Sequence, residues 1–404
     1  MTFTKSFFKI NLLVIIFYVS FLNTYRVNAQ SNYIDSLNSD LTKVFKNSNI
    51  TGCAIAIVNK EGITYQKEFG YADIKRQKLY NYRTTQNIAS VSKVFISVAL
   101  LKAIQIGYFN LETDINKILP FKVHNPYFPN DVIRIKDLVT HTSGIVDNDS
   151  VYSKSYQFII NDKTDSSSIA LIKEAGLTGG LKDTTLKQFM FSYLNPKGRL
   201  YSSKNFFKSK AGKCYNYSNI ASALAAYLIE IKSRVSFASF TKTHIFKQLK
   251  MTHSEWTVNI NDLDNRAIPY YNSDTSFPFY NSITYPDGGL TTTVRELSHF
   301  VQEMIKLLNG ISTLFPRQMA DRMFKPIFSD KNVPEQYDLK KYNNGIFWEL
   351  YPDGYIGHPG ADPGVSSFIE FNNEVGIVFI GNMYIDTEQF KTILKKYALR
   401  FSGH

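Results

Sequence analysis

Ile88-Ala89-Ser90-Val91-Ser92-Lys93-Val94-Phe95-Ile96-Ser97-Val98-Ala99-Leu100-Leu101 is the stretch on which the reading of the whole chain turns. From Ser90 to Ile106 it predicts a strongly apolar helix that stops at Gly107, where a left-handed cap needs no Cβ. Lys93 is the only charge between Ser90 and Leu101, and a charge on a helix suited to a core needs a reason. Positions i and i+3 share a helix face, about 5–6 Å apart at Cβ, so the lysine amine can reach the serine oxygen. A serine hydroxyl is a poor nucleophile until a base takes its proton, and an amine does so when burial lowers its pKa. A helix start also aims free N–H groups and a partial positive charge at any oxyanion formed there. Taken alone, Ser-x-x-Lys recurs by chance, and a capping serine beside a solvated lysine is the plainer reading.

Two further groups carry chemistry-bearing side chains. Tyr217-Ser218-Asn219 opens a second apolar helix, running to Ile231 with Ile220, Leu224, Ala225, Leu228 and Ile229 on its buried side. A tyrosine beside a protonated lysine has its pKa lowered and can share general base and acid work. The asparagine amide can donate to a substrate carbonyl and accept from an amine. His358-Pro359-Gly360-Ala361 lies on or just after a predicted edge strand. A glycine there lets a substrate backbone come close, and the Ala361 N–H can pair with that of Ser90 as an oxyanion hole, each such donor worth about 10²–10³ in rate. Read singly, an N-cap serine flanked by a packed tyrosine and an ordinary partly exposed histidine account for both groups.

Outward from these, the two ends of the chain read as sheet and the middle as helix. Ala54 to Val58 and Ile63 to Phe69 flank the turn residues Asn59-Lys60-Glu61-Gly62, which makes a hairpin. Gly345 to Leu350 and Tyr355 to Gly357 around Tyr351-Pro352-Asp353-Gly354 suggest a second, and Val365 to Phe371 with Val375 to Ile380 a third. Asp386 then caps a last helix through Phe390, Ile393, Leu394 and Tyr397. The fold class expected is α/β (α+β): a mainly antiparallel sheet built from both termini, flanked by helices, with a helical domain inserted. The sheet domain takes residues 30–85 and 285–404 and the helical domain 86–284. Residues 147–213, polar and weakly periodic apart from a helical piece around Ile169 to Ala175, read as a surface excursion.

Composition narrows the class of protein. At 404 residues, 44% hydrophobic and 20% charged, the chain is globular and long enough for a sizeable core. Its formal charge of +12 suits a polyanionic neighbourhood such as a cell envelope. The basic residues are scattered without an Arg/Lys block interleaved with aromatics, so no nucleic-acid partner is expected. Lys5 and Lys9, the apolar run Ile10 to Leu22 and the small-residue site Val27-Asn28-Ala29 read as a cleavable signal peptide over residues 1–29. An uncleaved membrane anchor is the alternative, although the run falls short of the ~20 residues that span a bilayer. Cleavage removes Lys5, Lys9 and Arg26 and lowers the charge from +12 to +9. No other segment reads as apolar enough to cross a membrane. Export, to a periplasm or the exterior, permits a disulfide between Cys53 and Cys214 but two distant cysteines do not require one. They also leave no cysteine-rich zinc framework. Asn216-Tyr217-Ser218, Asn49-Ile50-Thr51 and Asn148-Asp149-Ser150 match glycosylation sequons. The first sits beside the candidate tyrosine, so it is either buried first or made where such sites are not modified.

In this order the three groups resemble the serine β-lactamase and penicillin-binding protein superfamily, in its branch of class C β-lactamases, D-Ala-D-Ala carboxypeptidases and family VIII esterases. Gly70-Tyr71-Ala72-Asp73 resembles that family's strand end before the nucleophile. Leu138-Val139-Thr140-His141-Thr142-Ser143-Gly144-Ile145 is similar to its Leu-Leu-Thr-His-Thr-Ser-Gly-Leu signature. Asp287-Gly288-Gly289-Leu290 with Thr291 to Leu297 is similar to its Gly-Gly-Leu and helix start. The likeness runs from about residue 50 to 381. It implies a β-lactamase/transpeptidase-like fold, Ser90 as acylated nucleophile, Lys93 and Tyr217 as the proton-handling pair, Asn219, His358 and Gly360 as substrate ligands, and the Ser90 and Ala361 N–H groups as oxyanion hole. His358 stands where the true lactamases carry the lysine of Lys-Thr-Gly, which argues against an efficient β-lactamase. Ala211-Gly212-Lys213-Cys214 replaces the usual Pro-Gly before the tyrosine motif, and no Glu-containing loop of the class A kind is present, so deacylation falls to Tyr217 and Lys93. His141 reads as structural, holding the loop after the helix.

The expected function is therefore a secreted serine hydrolase working on an amide or ester through an acyl-enzyme, with no cofactor and no metal. Its partner is a small-molecule or peptide substrate, cell-wall peptidoglycan among them, and it meets a membrane only through an uncleaved signal segment. A non-turnover β-lactam receptor or scaffold protein of the same fold stays open as the alternative.

Overall fold

The computed structural model describes residues 32–402 apart from 163, 178, 182 and 260–262; the signal segment read at 1–29 lies outside the described residues. Gly52–Asn59 (β1) and Ile63–Asp73 (β2) form the first predicted hairpin. Asn59 makes its turn by accepting the Glu61 and Gly62 N–H groups on Oδ1, at 2.9 and 3.1 Å. Short strands Lys78–Leu79 (β3), Asn343–Asn344 (β4) and Glu349–Leu350 (β5) precede Ile356–Asp362 (β6), Val365–Phe371 (β7) and Val375–Gly381 (β8). These eight strands form one antiparallel sheet in the order β3-β2-β1-β8-β7-β6-β5-β4. The first and last thirds of the chain thus meet at β1 and β8, with Ala56 opposite Val378. The sheet is covered on both faces, which is why β1, β7 and β8 are apolar at nearly every position rather than at alternate ones.

One face carries the helix over residues 32–48 (α1), whose Leu37, Leu41 and Val44 pack with Ile55, Ile57, Phe368 and Phe379. Glu388–Ala398 (α6) joins them through Phe390 and Leu394. Thr387 is the N-cap of α6; the predicted cap, Asp386, sits one residue earlier and accepts the Glu388 N–H at 3.0 Å. The other face carries Val294–Leu308 (α5), and Lys93–Ile106 (α2) packs against α5 with Phe95 and Phe300 stacked at 4.1 Å. Helix α2 ends at Gly107 with φ 89°, the left-handed cap read from sequence. The 18 residues Ala89–Ile106 are in fact long and apolar enough to cross a membrane by length and composition, contrary to expectation, but 72% of the segment is buried inside the protein, as a core helix is.

Three sequence readings need correction. The excursion at 147–213 does not stay on the surface. Besides the helix Ser166–Glu174 it contains Leu186–Leu194 (α3), which buries Phe189, Met190, Tyr193 and Leu194 in the main core. Thr185 and Gln188 form a capping box at its start. The second predicted hairpin is shorter on its first arm, because Gly345 to Trp348 turn back on themselves (Gly345 N–H to Trp348 O, 2.8 Å) and leave only β5 to pair with β6. Tyr217 precedes its helix, which runs Asn219–Ser233 (α4) with Ser218 as N-cap. Cys53 and Cys214 are both buried and unbridged.

Candidate active site

The turn Ala89–Ser92 presents Ser90 ahead of α2. Ala89 has φ 46°, a left-handed backbone that costs a non-glycine residue free energy and tends to mark functional turns. Neighbours hold it there. Asn87 Oδ1 accepts the Ala89 N–H at 2.6 Å, Ser367 Oγ donates to the Ile88 carbonyl at 2.7 Å, and Ser92 Oγ accepts the Leu290 N–H at 3.1 Å. Ser90 is part-exposed, while Lys93, one turn on, is wholly buried. Lys93 Nζ lies 3.0 Å from Ser90 Oγ and donates to the Asp287 carbonyl at 2.6 Å. The amine is therefore held between the serine and the Asp287-Gly288-Gly289 segment.

Tyr217 closes the group. Lys93 Nζ is 5.1 Å from its ring centroid, and its hydroxyl interacts with the side chains of both Lys93 and Ser90. Tyr217 as a residue remains 36% exposed. Burial raises the Tyr217 phenol above its ordinary value, against the pull of Lys93 and of the contacts with Lys93 and Ser90. The expected lowering by the lysine is thus outweighed by desolvation, which keeps the proton on the phenol. Asn219 is the first residue of α4; its backbone N–H donates to Asp147 Oδ2 at 2.8 Å, and among the described residues its side-chain amide makes no hydrogen bond.

His358, Gly360 and Ala361 lie inside β6. Beyond Gly357 that strand has β7 on one side only, so His358 to Asp362 form an open edge. His358 is 3% exposed, not partly exposed as a surface histidine would be. Nδ1 donates to the Pro359 carbonyl at 2.6 Å, and burial with the nearby Lys93 charge pushes its pKa down to about 3. It is neutral at working pH and offers Nε2 as an acceptor, so it cannot replace a lysine cation. Gly360 also serves differently from expectation. A Cβ there would meet Ser367 Oγ at 2.3 Å, the Ile88 carbonyl at 2.5 Å and the Val91 nitrogen at 3.2 Å. The missing side chain admits the nucleophile turn, not a substrate backbone. Ala361 is exposed, on the opposite face of the strand from Gly360.

Several residues around the site were not assigned from sequence. Asp147, at the start of the excursion, accepts from Ser218 Oγ (2.9 Å), the Asn219 N–H (2.8 Å) and the Ile220 N–H (3.0 Å), so a distant loop caps α4. Burial raises its carboxyl, opposed by those bonds. The Asp287 carboxyl, buried beside Lys93 with Tyr152 Oη at 3.3 Å, is pushed up to about 8 by desolvation, with Lys93 opposing. Asp362 accepts from Tyr156 Oη at 2.6 Å and is pushed up to about 6 by burial. No spacing rule connects Asp147, Tyr152 or Tyr156 to residues 60 and more positions away. Among the described residues no group of three or more His, Cys, Asp or Glu is arranged to hold a metal ion.

An antiparallel sheet with a helical insertion, and a serine on the turn leading into a buried helix whose first residue is a buried lysine, define the class of β-lactamases and penicillin-binding proteins. The chain belongs to the Beta-lactamase family, whose sequence profile matches residues 37–389. Protein flp of Staphylococcus aureus (strain MRSA252) is 25% identical over 367 residues, 88% of this chain and 64% of its own length. The chain therefore spans less than two thirds of that relative. Among solved structures, an octameric penicillin-binding protein homologue from Pyrococcus abyssi superposes with a TM-score of 0.71 at 19% identity, over 91% of this chain and 77% of that one. A class C β-lactamase superposes with a TM-score of 0.68 at 18% identity, over 93% and 98%. At these identities the two structures bear on the fold alone.

Proposed function

We propose that the protein is an exported serine hydrolase that cleaves an amide or ester through an acyl-enzyme on Ser90, as a D-Ala-type peptidase or an esterase. The observation that carries this is the 3.0 Å separation of Lys93 Nζ from Ser90 Oγ at a fully buried lysine. In the active form the amine accepts the serine proton, and Ser90 Oγ bonds to the substrate carbonyl carbon. The tetrahedral oxyanion forms against the Ser90 and Ala361 N–H groups. Tyr217, which burial keeps as a phenol, protonates the leaving group as the C–N or C–O bond breaks, and Lys93 returns a proton to it. Water attacks the ester by the same path in reverse, and Ser90 regains its proton. Asn219 and His358 bind the substrate from the two walls. A neutral His358 supplies no cation for a substrate carboxylate, which favours the ester over a β-lactam or a peptide that ends in a carboxylate, while export and the positive charge favour the peptide. Export rests on residues 1–29, and the positive charge suits an anionic cell wall as the place where a peptide substrate is met.

The test is labelling by a fluorophosphonate and by a fluorescent penicillin, with turnover of p-nitrophenyl acetate and nitrocefin beside it. Wild type should be labelled and turn over the ester, and Ser90→Ala should lose both. Labelling that survives in Ser90→Ala places the nucleophile elsewhere. Stoichiometric labelling without turnover would mark a β-lactam receptor, and no labelling a scaffold.

A further inference from the structure

Resting on the acyl-enzyme reading above, we propose that His141 is a positioning residue that fixes the Tyr217 hydroxyl beside Ser90 and Lys93. Three groups of His141 hold three consecutive residues. Its carbonyl accepts the Asn216 N–H at 2.8 Å, its ring stacks on the Tyr217 ring at 4.4 Å between centroids and 29° between planes, and its Nδ1 accepts the Ser218 N–H at 3.1 Å. No part of this reaches the reacting atoms, so His141 acts only through the tyrosine.

The residue type follows from the geometry. His141 has φ 56°, a left-handed backbone that bulky residues seldom adopt. The Thr142 N–H, bonded to the Asp137 carbonyl at 2.9 Å, and the His141 N–H, bonded to the Leu138 carbonyl at 3.2 Å, secure that turn. The imidazole is 4% exposed and wedged against Phe347 (5.7 Å) and Tyr215 (6.1 Å), so it cannot swing away. As an acceptor, Nδ1 must be unprotonated; burial, then the Lys93 charge, hold the ring well below its ordinary pKa and keep it neutral. Tyr217 needs such a wall. The residue is 36% exposed, so without His141 stacked on it the ring can turn out and carry the hydroxyl from the serine.

The experiment is the rate of Ser90 modification by a fluorophosphonate at saturating and sub-saturating probe, in two backgrounds. His141→Leu removes both the stacking ring and the acceptor. It should slow the saturated rate by about a hundredfold, the usual effect of misplacing a reacting group by about 1 Å, with half-saturation changed by less than about twofold. In a Tyr217→Phe background, where there is no hydroxyl left to place, the same substitution should change the rate by less than about twofold. An equal loss in both backgrounds means that His141 only supports the fold, and overturns the proposal. His141→Asn, which tolerates the left-handed backbone, gives the same comparison if the leucine variant does not fold. A readout independent of activity separates this proposal from the acyl-enzyme reading. With 3-fluorotyrosine at position 217, loss of the stacked imidazole should shift the fluorine resonance. An unshifted resonance overturns the positioning role whether or not Ser90 is labelled, whereas a shifted one in an enzyme that no probe labels supports the geometry and sinks only the acyl-enzyme reading.

Discussion

Gly360→Ala tests how the nucleophile is held. A Cβ on Gly360 would lie 2.5 Å from the Ile88 carbonyl oxygen and 2.3 Å from Ser367 Oγ. Non-bonded heavy atoms settle about 3.5 Å apart, so β6 and the turn carrying Ser90 must part by about 1 Å. The serine oxygen could turn aside by rotation. The carbonyl cannot, because it belongs to the backbone that enters the Ala89 turn and already accepts from Ser367 Oγ at 2.7 Å. Overpacking of this kind costs about 1–3 kcal/mol, and a 1 Å displacement of a nucleophile costs about 10² in rate. Thermal unfolding should show a modest loss and the fluorophosphonate labelling rate a large one. Adding Ser367→Ala relieves one clash only, and should leave the rate low. A Gly360→Ala protein that melts and labels as wild type would refute the claim that this glycine exists to admit the nucleophile turn.

Two further outcomes follow from the buried acids. The folded value of Asp287, about 8, lies above an unfolded value of about 3.9, so its contribution to stability is full below about pH 4 and is lost as pH rises through about 8. Asp287→Asn should therefore gain stability over wild type as pH increases from 4 to 8, by a few kcal/mol at about 1.4 kcal/mol per unit; unfolding curves of both proteins across that range check it, and a difference that shrinks with pH contradicts it. Asp147→Ala removes the acceptor of three hydrogen bonds at the start of α4. It should cost about 1–3 kcal/mol in denaturant unfolding and slow labelling by displacing Tyr217 and Asn219. Asp147→Asn, which keeps an acceptor, should recover part of both.

The strands of the two end segments were legible because a sheet covered on both faces demands unbroken apolar runs, and Asn59 and Asn372 mark the turns between them. The Asn372 side chain accepts the Glu374 and Val375 N–H groups at 2.9 Å each. Helix α3 was missed because its nine residues sit in a polar stretch, although the Thr185-x-x-Gln188 capping box was there to be read. Ser90, Lys93, Tyr217 and Asn219 could be picked out by motif, and Lys93 does lie against Ser90 and Tyr217, with the His358 ring 6.4 Å from that of Tyr217. Their electrostatics could not be. Whether a lysine lowers a tyrosine or burial raises it depends on how many atoms surround the phenol, and the buried, neutral His358 depends likewise on its neighbours. Gly360 reads from sequence as room for a substrate backbone, whereas the fold fills that room with Ile88, Val91 and Ser367. Asp147 and Tyr152 act across more than 70 and 130 residues, at Ser218 and Asp287, and nothing local announces them.

The proposed catalysis begins with one step, removal of the Ser90 proton by the buried amine beside it. Lys93→Met keeps the length and apolar stem of the side chain and removes that amine. General-base catalysis is typically worth about 10²–10⁴, so the saturated rate of Ser90 acylation, followed by mass spectrometry of the peptide that carries it, should fall by that much in a protein that still folds. A folded Lys93→Met enzyme that acylates Ser90 within about twofold of wild type would contradict the mechanism.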